Sequence, residues 1–288
     1  MAKIVDLLAA GPTYSFEFFP PQTDAEQATL VRTLRELEPL GPSFVSVTYR
    51  GGRASRQRTY DLVVGMLKTT TLTPMAHLTC VAHTRLELAE ILVDFRKAGV
   101  ENVLALGGDP ISEPDMPEAE LLFASELVEL AHAIGGFSIG VAAHPELHPR
   151  SNGDRAFDRA HLATKLRMAD FAITQFFFRV DDYLTLMDDL QAEGVDKPVV
   201  PGIMPITNLR GVQRMAELSG SEVPPEVVAK VQAVADDPEA VRRVGVEMAT
   251  QLCQGLMTSG APGLHFYTLN RSTATREIYA NLGLKPAA

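Results

Sequence analysis

The chain has 288 residues with 26 Lys plus Arg against 36 Asp plus Glu, a formal net charge of −10 that speaks against nucleic-acid or anionic-membrane partners, since either needs a basic face. Hydrophobic residues make up 46% and charged ones 22%, the balance of a globular protein, and no apolar run approaches the roughly 20 residues that span a bilayer. The two cysteines, Cys80 and Cys253, are too few and too far apart for a disulfide framework or a thiolate zinc site, and suit a reducing cytoplasm.

The N-terminal apolar patch is interrupted by Asp6 and preceded only by Lys3, so it reads as a first helix rather than a signal peptide. Short apolar runs then predict strands at 14–19, 44–48, 75–80, 102–106, 138–142, 171–176, 199–203 and 263–267. Helix-like segments separate them at 24–38, 55–68, 84–97, 119–134, 154–168, 181–193, 207–217, 225–258 (in two or three pieces) and 272–282. In one of these, Leu88, Ile91, Leu92 and Phe95 follow the near-3.6 spacing of a buried helical face. Strands alternating with helices indicate a parallel sheet covered by helices, either open and doubly wound or closed. A count of eight strands in this length favours the closed form, and no G-x-G-x-x-G follows the first strand, as the open dinucleotide-binding sheet would require. The expected fold is α/β, one (βα)8 TIM barrel domain over 1–288, with extra helices near the N-terminus and before the last strand.

Chemistry in such a barrel sits at the C-terminal ends of the strands. The first strand carries Glu17, pointing opposite to Phe16 and Phe18 and followed by Phe19 and two prolines. A carboxylate surrounded by phenylalanines favours its neutral form, and a raised pKa would suit a general acid; a Glu paired to an Arg is the plainer alternative. The second strand runs through Thr48 and Tyr49 into Gly51 and Gly52, and the fourth into Gly107, Gly108 and Asp109, sharp turns that let backbone approach a ligand, although ordinary turns use the same residues. His77 lies in the third strand, where a satisfied core histidine is the commoner outcome. Gln175 in the sixth lies on the side of Ile173 and Phe177, an uncommon choice for packing because a buried amide needs partners for both donor and acceptor. His144 and His148 tempt a metal reading, but Pro145 and Pro149 deny them a shared helical face, and no metal is assigned. Lys165 falls in a helix-like segment after Asp158 and His161, away from a strand end, which weakens a Schiff-base reading.

Taken together, Ser15-Phe16-Glu17-Phe18-Phe19-Pro20-Pro21, Val45-Ser46-Val47-Thr48-Tyr49, His77-Leu78-Thr79-Cys80, Gly108-Asp109-Pro110, Pro145-Glu146-Leu147-His148-Pro149, Ile173-Thr174-Gln175-Phe176-Phe177-Phe178, Pro201-Gly202-Ile203-Met204-Pro205 and His265-Phe266-Tyr267-Thr268-Leu269-Asn270-Arg271 resemble, in order and over nearly the whole chain, the bacterial 5,10-methylenetetrahydrofolate reductases. The resemblance implies a barrel holding FAD at its mouth, reduced by NADH or NADPH, that passes hydride to methylenetetrahydrofolate. It makes Glu17 the general acid and Asp109 a catalytic neighbour of flavin and pterin. It makes Gln175, Arg271 and Asp109 contacts to the substrate, and places Thr48, Tyr49, Gly51, His77, Gly107, Gly108, Asp109, His144, His148, Asp158, His161 and Lys165 around the cofactor. Many relatives carry Arg at the position of Gly107 and an aromatic residue at that of His144. The missing cation implies weakly held FAD, or a flavin-free enzyme that moves hydride directly from NAD(P)H to the folate iminium. Further readings are a binding protein without turnover, against which Glu17 speaks, and a metal-dependent hydrolase. The expected partner is a folate, with no nucleic acid or membrane, and a homo-oligomer is left open.

Overall fold

The computed structural model of the chain describes residues 2–49, 53–109 and 117–284. Its centre is a closed barrel of eight parallel strands in sequence order: β1 (Thr13–Phe18), β2 (Phe44–Val47), β3 (Pro74–Thr79), β4 (Asn102–Leu106), β5 (Ser138–Ala143), β6 (Phe171–Phe176), β7 (Val199–Ile203) and β8 (Gly263–Tyr267), which returns to pair with β1. The helices are α1 (Ile4–Ala10), α2 (Asp24–Leu37), α3 (Arg53–Thr69), α4 (Arg85–Lys97), α5 (Ala124–Ile134), α6 (Arg155–Met168), α7 (Val180–Ala192), α8 (Leu209–Ser219), α9 (Pro225–Gln232), α10 (Pro238–Thr258) and α11 (Thr273–Asn281). The expected architecture is therefore present, with α1 ahead of the first strand and α8, α9 and α10 together between β7 and β8. No helix among the described residues is long and apolar enough to cross a membrane.

The start of α5 differs from the sequence reading, while the 225–258 segment divides as expected. Helix α5 starts at Ala124 rather than near 119, because the Glu126 carboxylate accepts from the N–H groups of Leu122 and Phe123 and defines the first turn there. The 225–258 stretch is two helices, and Asp237 with Pro238 opens the second: the Asp237 carboxylate accepts from Glu239 N–H at 2.9 Å, and proline fits the first helical position.

Strand alternation sorts side chains between two cores. Outward residues such as Phe16, Phe18, Val45, Val47, Leu78, Val103, Ile139, Leu264 and Phe266 pack under the helices. Inward residues Phe44, Met75, Leu104, Phe171, Ile173 and Val200 form a second, apolar cluster inside the barrel. Ile4 and Leu8 of α1 complete that cluster, so the first helix closes the N-terminal end of the barrel. Gly140 makes room within it, since a Cβ there would lie 2.6 Å from the Phe171 ring.

Helix α1 is held by the strands beneath it. Asn102 Oδ1 accepts from Ile4 N–H at 2.8 Å, its Nδ2 donates to Ala2 O at 3.1 Å, and Ser138 Oγ accepts from Val5 N–H at 3.1 Å. These side chains stand in for the capping residue that α1 lacks, Lys3 making no such bond. Asn102→Ala would leave the buried Ile4 N–H unpaired and is expected to cost about 1–3 kcal/mol, read as a lower urea midpoint with unchanged m-value.

Candidate active site

Above the apolar cluster the barrel interior turns polar. The register sets Ser46 and Tyr267 beside Glu17, and His265 beside Ser15, all facing inward. Phe44 stacks on the His265 ring, with centroids 5.9 Å apart and 13° between planes, and marks the level of the change. Glu17 Oε2 lies 3.3 Å from Ser46 Oγ, 3.5 Å from His77 Nε2 and 3.6 Å from His265 Nε2. Phe16 and Phe18 are buried on the other side of the wall and Phe19 lies beyond the strand, so the carboxylate is set among imidazoles and a hydroxyl, not among phenylalanine rings as the sequence suggested.

His265 is fully buried and engaged at both nitrogens: Nδ1 meets Ser15 Oγ at 2.7 Å, and Nε2 meets Ser46 Oγ at 3.3 Å. With Ser15 donating to Leu264 O, at 3.4 Å, its oxygen accepts from Nδ1–H and leaves Nε2 bare toward Ser46 and Glu17. With Ser15 turned to donate to Nδ1, Nε2–H is directed at the carboxylate. The two tautomers thus differ by a proton on the Glu17 side. His77 is buried, and burial pushes its imidazole down to about 4 despite the neighbouring Glu17, so it is neutral near pH 7. Its Nε2 has no hydrogen-bond partner among the described residues. Tyr267 donates to Thr174 O at 2.6 Å, and burial raises its phenol well above the ordinary value. Gly202 makes that reach possible, since a Cβ there would lie 2.6 Å from Tyr267 Cε2.

Thr48 follows β2 at the mouth, half-buried. Gln175 is also half-buried there, its Oε1 accepting from Phe176 N–H at 3.0 Å, while its Nε2 has no partner among the described residues. The β6–β7 register shifts between Ile173 and Phe176, and Phe177 turns into the outer core, so Gln175 and Phe177 do not share a side as strict alternation would have it. Arg271 and Asp109 are exposed in turns at the same barrel end. Asp109 is close enough to His148 to favour its charged form. Gly51 lies outside the described residues.

A cavity of about 480 Å³ opens beside the mouth, and Gly107, His144, His148, Asp158, His161 and Lys165 all line it. Gly108 shapes its rim: its φ is +84°, and a Cβ would lie 2.5 Å from Val81 Cγ1, so glycine is required. Gly107 has no such constraint, and a Cβ there meets nothing within 4 Å. Asp158 is consumed structurally, accepting from His148 N–H at 2.8 Å and from Arg159 at 2.7 Å. Burial lowers His144 to about 3 and Lys165 to about 8. Tyr49 departs from the expectation of a cofactor-facing side chain. His83 Nδ1–H donates to Ala82 O, so Nε2 accepts from Tyr49 Oη at 2.5 Å, and the phenol is buried in the outer core. Among the described residues no group of three His, Cys, Asp or Glu is placed to hold a metal ion.

Ser15, Ser46, His265 and Tyr267 escaped the sequence reading of single strand ends. Ser15 shares the parity of Glu17 on β1, whereas the inward parity of Ser46, His265 and Tyr267 on the strands either side is visible only once pairing and register are known.

The lowered histidines have a consequence for stability. Between about 4 and the ordinary 6.5 of His77, the unfolded chain binds a proton that the folded chain excludes, so stability falls as pH drops through that window. His77→Asn is expected to flatten part of that decline in urea titrations between pH 6.5 and pH 4; an unchanged slope would show that His77 protonates as readily folded as unfolded.

The family model described as methylenetetrahydrofolate reductase matches residues 2–283. A 5,10-methylenetetrahydrofolate reductase of Pectobacterium carotovorum subsp. carotovorum is 37% identical, the match covering 94% of this chain and 90% of that protein. Its counterpart in Escherichia coli (strain K12) is 36% identical, covering 94% and 91%. Among solved structures, an uncharacterized protein from Clostridium thermocellum that binds two copies of 5-methyl-5,6,7,8-tetrahydrofolic acid shares the fold, with a TM-score of 0.66 and 12% identity over 97% of each chain. On the family match and these identities, the chain belongs to the methylenetetrahydrofolate reductase family.

Proposed function

We propose that this chain reduces 5,10-methylenetetrahydrofolate to 5-methyltetrahydrofolate with reducing equivalents from NADH or NADPH, passed through FAD. The observation that carries the reading is Glu17: a carboxyl group at the mouth of the barrel, set beside a serine and two histidines. The residues at the adjoining cavity fit a dinucleotide. Lys165 has no carboxylate within ion-pair reach among the described residues, and the Phe123 and Phe157 rings are exposed at the rim. FAD, when bound, supplies two-electron transfer between the nicotinamide and the folate.

The chain's own residues handle the proton. Glu17 gives its proton to N10 of the folate as the N10–methylene bond breaks, leaving an N5 iminium that accepts hydride and becomes the N5 methyl group. His77, neutral through burial, borders the carboxylate at 3.5 Å. Ser46 and His265 orient the carboxylate, which is partly open to the mouth and takes its next proton from water there. Gln175 offers its free Nε2 to a carbonyl of the pterin, and Arg271 and Asp109 meet substrate at the rim. Thr48, together with His144, His148 and His161 of the cavity wall, shapes the place for the cofactor. Tyr49 and Asp158 act one step back, the first by fixing the β2 end through His83, the second by holding the His148 backbone.

A second reading, direct hydride transfer from NAD(P)H to the iminium without flavin, is favoured by the bare cavity wall at Gly107. The absorbance spectrum of purified protein, followed by NAD(P)H oxidation with and without added FAD, separates the two. A flavin band, or dependence on FAD, supports the first; folate reduction by colourless protein that ignores FAD supports the second.

Glu17→Gln keeps a hydrogen-bonding group but cannot deliver a proton. Folate reduction is expected to fall by a factor of about 100 or more, with NAD(P)H binding intact, and near-normal turnover would remove Glu17 as the acid. Gln175→Ala is expected to weaken both nicotinamide and folate use, each by roughly fivefold, because the two share one pocket. Stopped-flow measurement of each substrate checks this, and unchanged rate and affinity for both would make Gln175 a structural amide.

A further inference from the structure

The cavity beside the mouth holds two cations with no carboxylate in ion-pair contact among the described residues. Lys165 is one: the nearby Asp158 carboxylate is committed to Arg159, at 2.7 Å, and to the His148 N–H, at 2.8 Å. Arg159 itself is spent on Asp158, Asp189 and the carbonyls of His144 and Pro145. The other is Arg150, on the short 3-10 turn Pro149–Ser151 after β5. His148 Nδ1 accepts from the Arg150 N–H at 3.1 Å and caps that turn. The guanidinium reaches across to the end of β4, where Nη2 donates to Gly108 O at 3.3 Å, and among the described residues no carboxylate lies within ion-pair distance of it. That single long hydrogen bond uses one of five guanidinium donors. The opposite wall is bare at Gly107, where even a Cβ would meet nothing within 4 Å.

We infer that Arg150 is a binding residue for the diphosphate of the dinucleotide, reaching with Lys165 into the open wall at Gly107 and clamping the anion from two sides. The inference rests on the reading of the chain as a dinucleotide-dependent reductase. A guanidinium suits this task because its planar fork matches phosphate oxygens two at a time. The same donors tie the β5–α6 turn to the turn at Gly108, so an anion held there also steadies the backbone next to Asp109.

The test is equilibrium binding of FAD and, separately, of NADH, followed by fluorescence, with riboflavin and nicotinamide mononucleotide as probes that lack the diphosphate. Arg150→Ala should weaken whichever dinucleotide the unmodified protein binds by roughly tenfold, the loss of one charge-assisted contact, and leave the diphosphate-free probe unchanged. The affinity should also become less sensitive to salt. Arg150→Ala combined with Gly107→Arg should recover most of the loss, because the new side chain enters open space on the facing wall. The FAD and NADH arms show which molecule supplies the diphosphate. Equal dinucleotide affinity in Arg150→Ala and unmodified protein, with folate reduction intact, overturns the role of Arg150 alone. Failure of the unmodified protein both to bind either dinucleotide and to reduce folate overturns the reading beneath it as well.

Discussion

Everything at the mouth depends on where the barrel interior changes from apolar to polar. Below His265 the inward positions are filled by Phe44, Met75, Leu104, Phe171, Ile173 and Val200, with α1 sealing the end. At His265 and above, Ser15, Ser46, His77, Glu17 and Tyr267 take over. A polar group in such a place has to be paired. His265 meets that requirement by bonding at both nitrogens while stacking on Phe44, the topmost ring of the apolar cluster. The imidazole is thus fixed in orientation and helps to hold the Glu17 carboxylate in place.

The adjoining cavity is organised by a different economy of charge. Arg159 is buried and collects both Asp158 and Asp189, and these pairs brace the loop after β5 against α6 and α7. Because they satisfy each other, Lys165 and Arg150 remain available to a ligand. The histidines beside them are pushed toward neutrality, His144 to about 3 by burial first and by His148, Lys165 and Arg159 next, so the positive potential resides in Arg150 and in Lys165, which burial lowers to about 8. A site with that balance attracts an anion without needing a metal.

Much of this was legible in the sequence. All eight strands were found, four of them to the residue, because a parallel barrel buries its strands on both faces and writes them as short apolar runs between helices. Glu17, His77 and Gln175 stood out as polar residues in such runs, and the structure brings them to one barrel end. The surroundings of Glu17 were not legible: its neighbours in sequence are phenylalanines, whereas its neighbours in space come from strands 29 and 250 residues away in the chain, through Ser46 and through the Ser15–His265 pair. At Tyr49, likewise, nothing local reveals that its hydroxyl is claimed by His83. Arg150 passed unnoticed because an Arg after a proline in a loop has no periodicity to mark it, and only the fold brings it to Gly108.

The central claim is that proton delivery from the Glu17 cluster opens the methylene bridge before hydride arrives. The most direct measurement is a single turnover of methylenetetrahydrofolate with limiting reductant, in ordinary and in heavy water, with product identified as 5-methyltetrahydrofolate. A proton in flight predicts a slower folate step in heavy water, while binding of the nicotinamide is unaffected. Equal rates in the two solvents, with the same product formed, would contradict a rate-limiting proton transfer from Glu17.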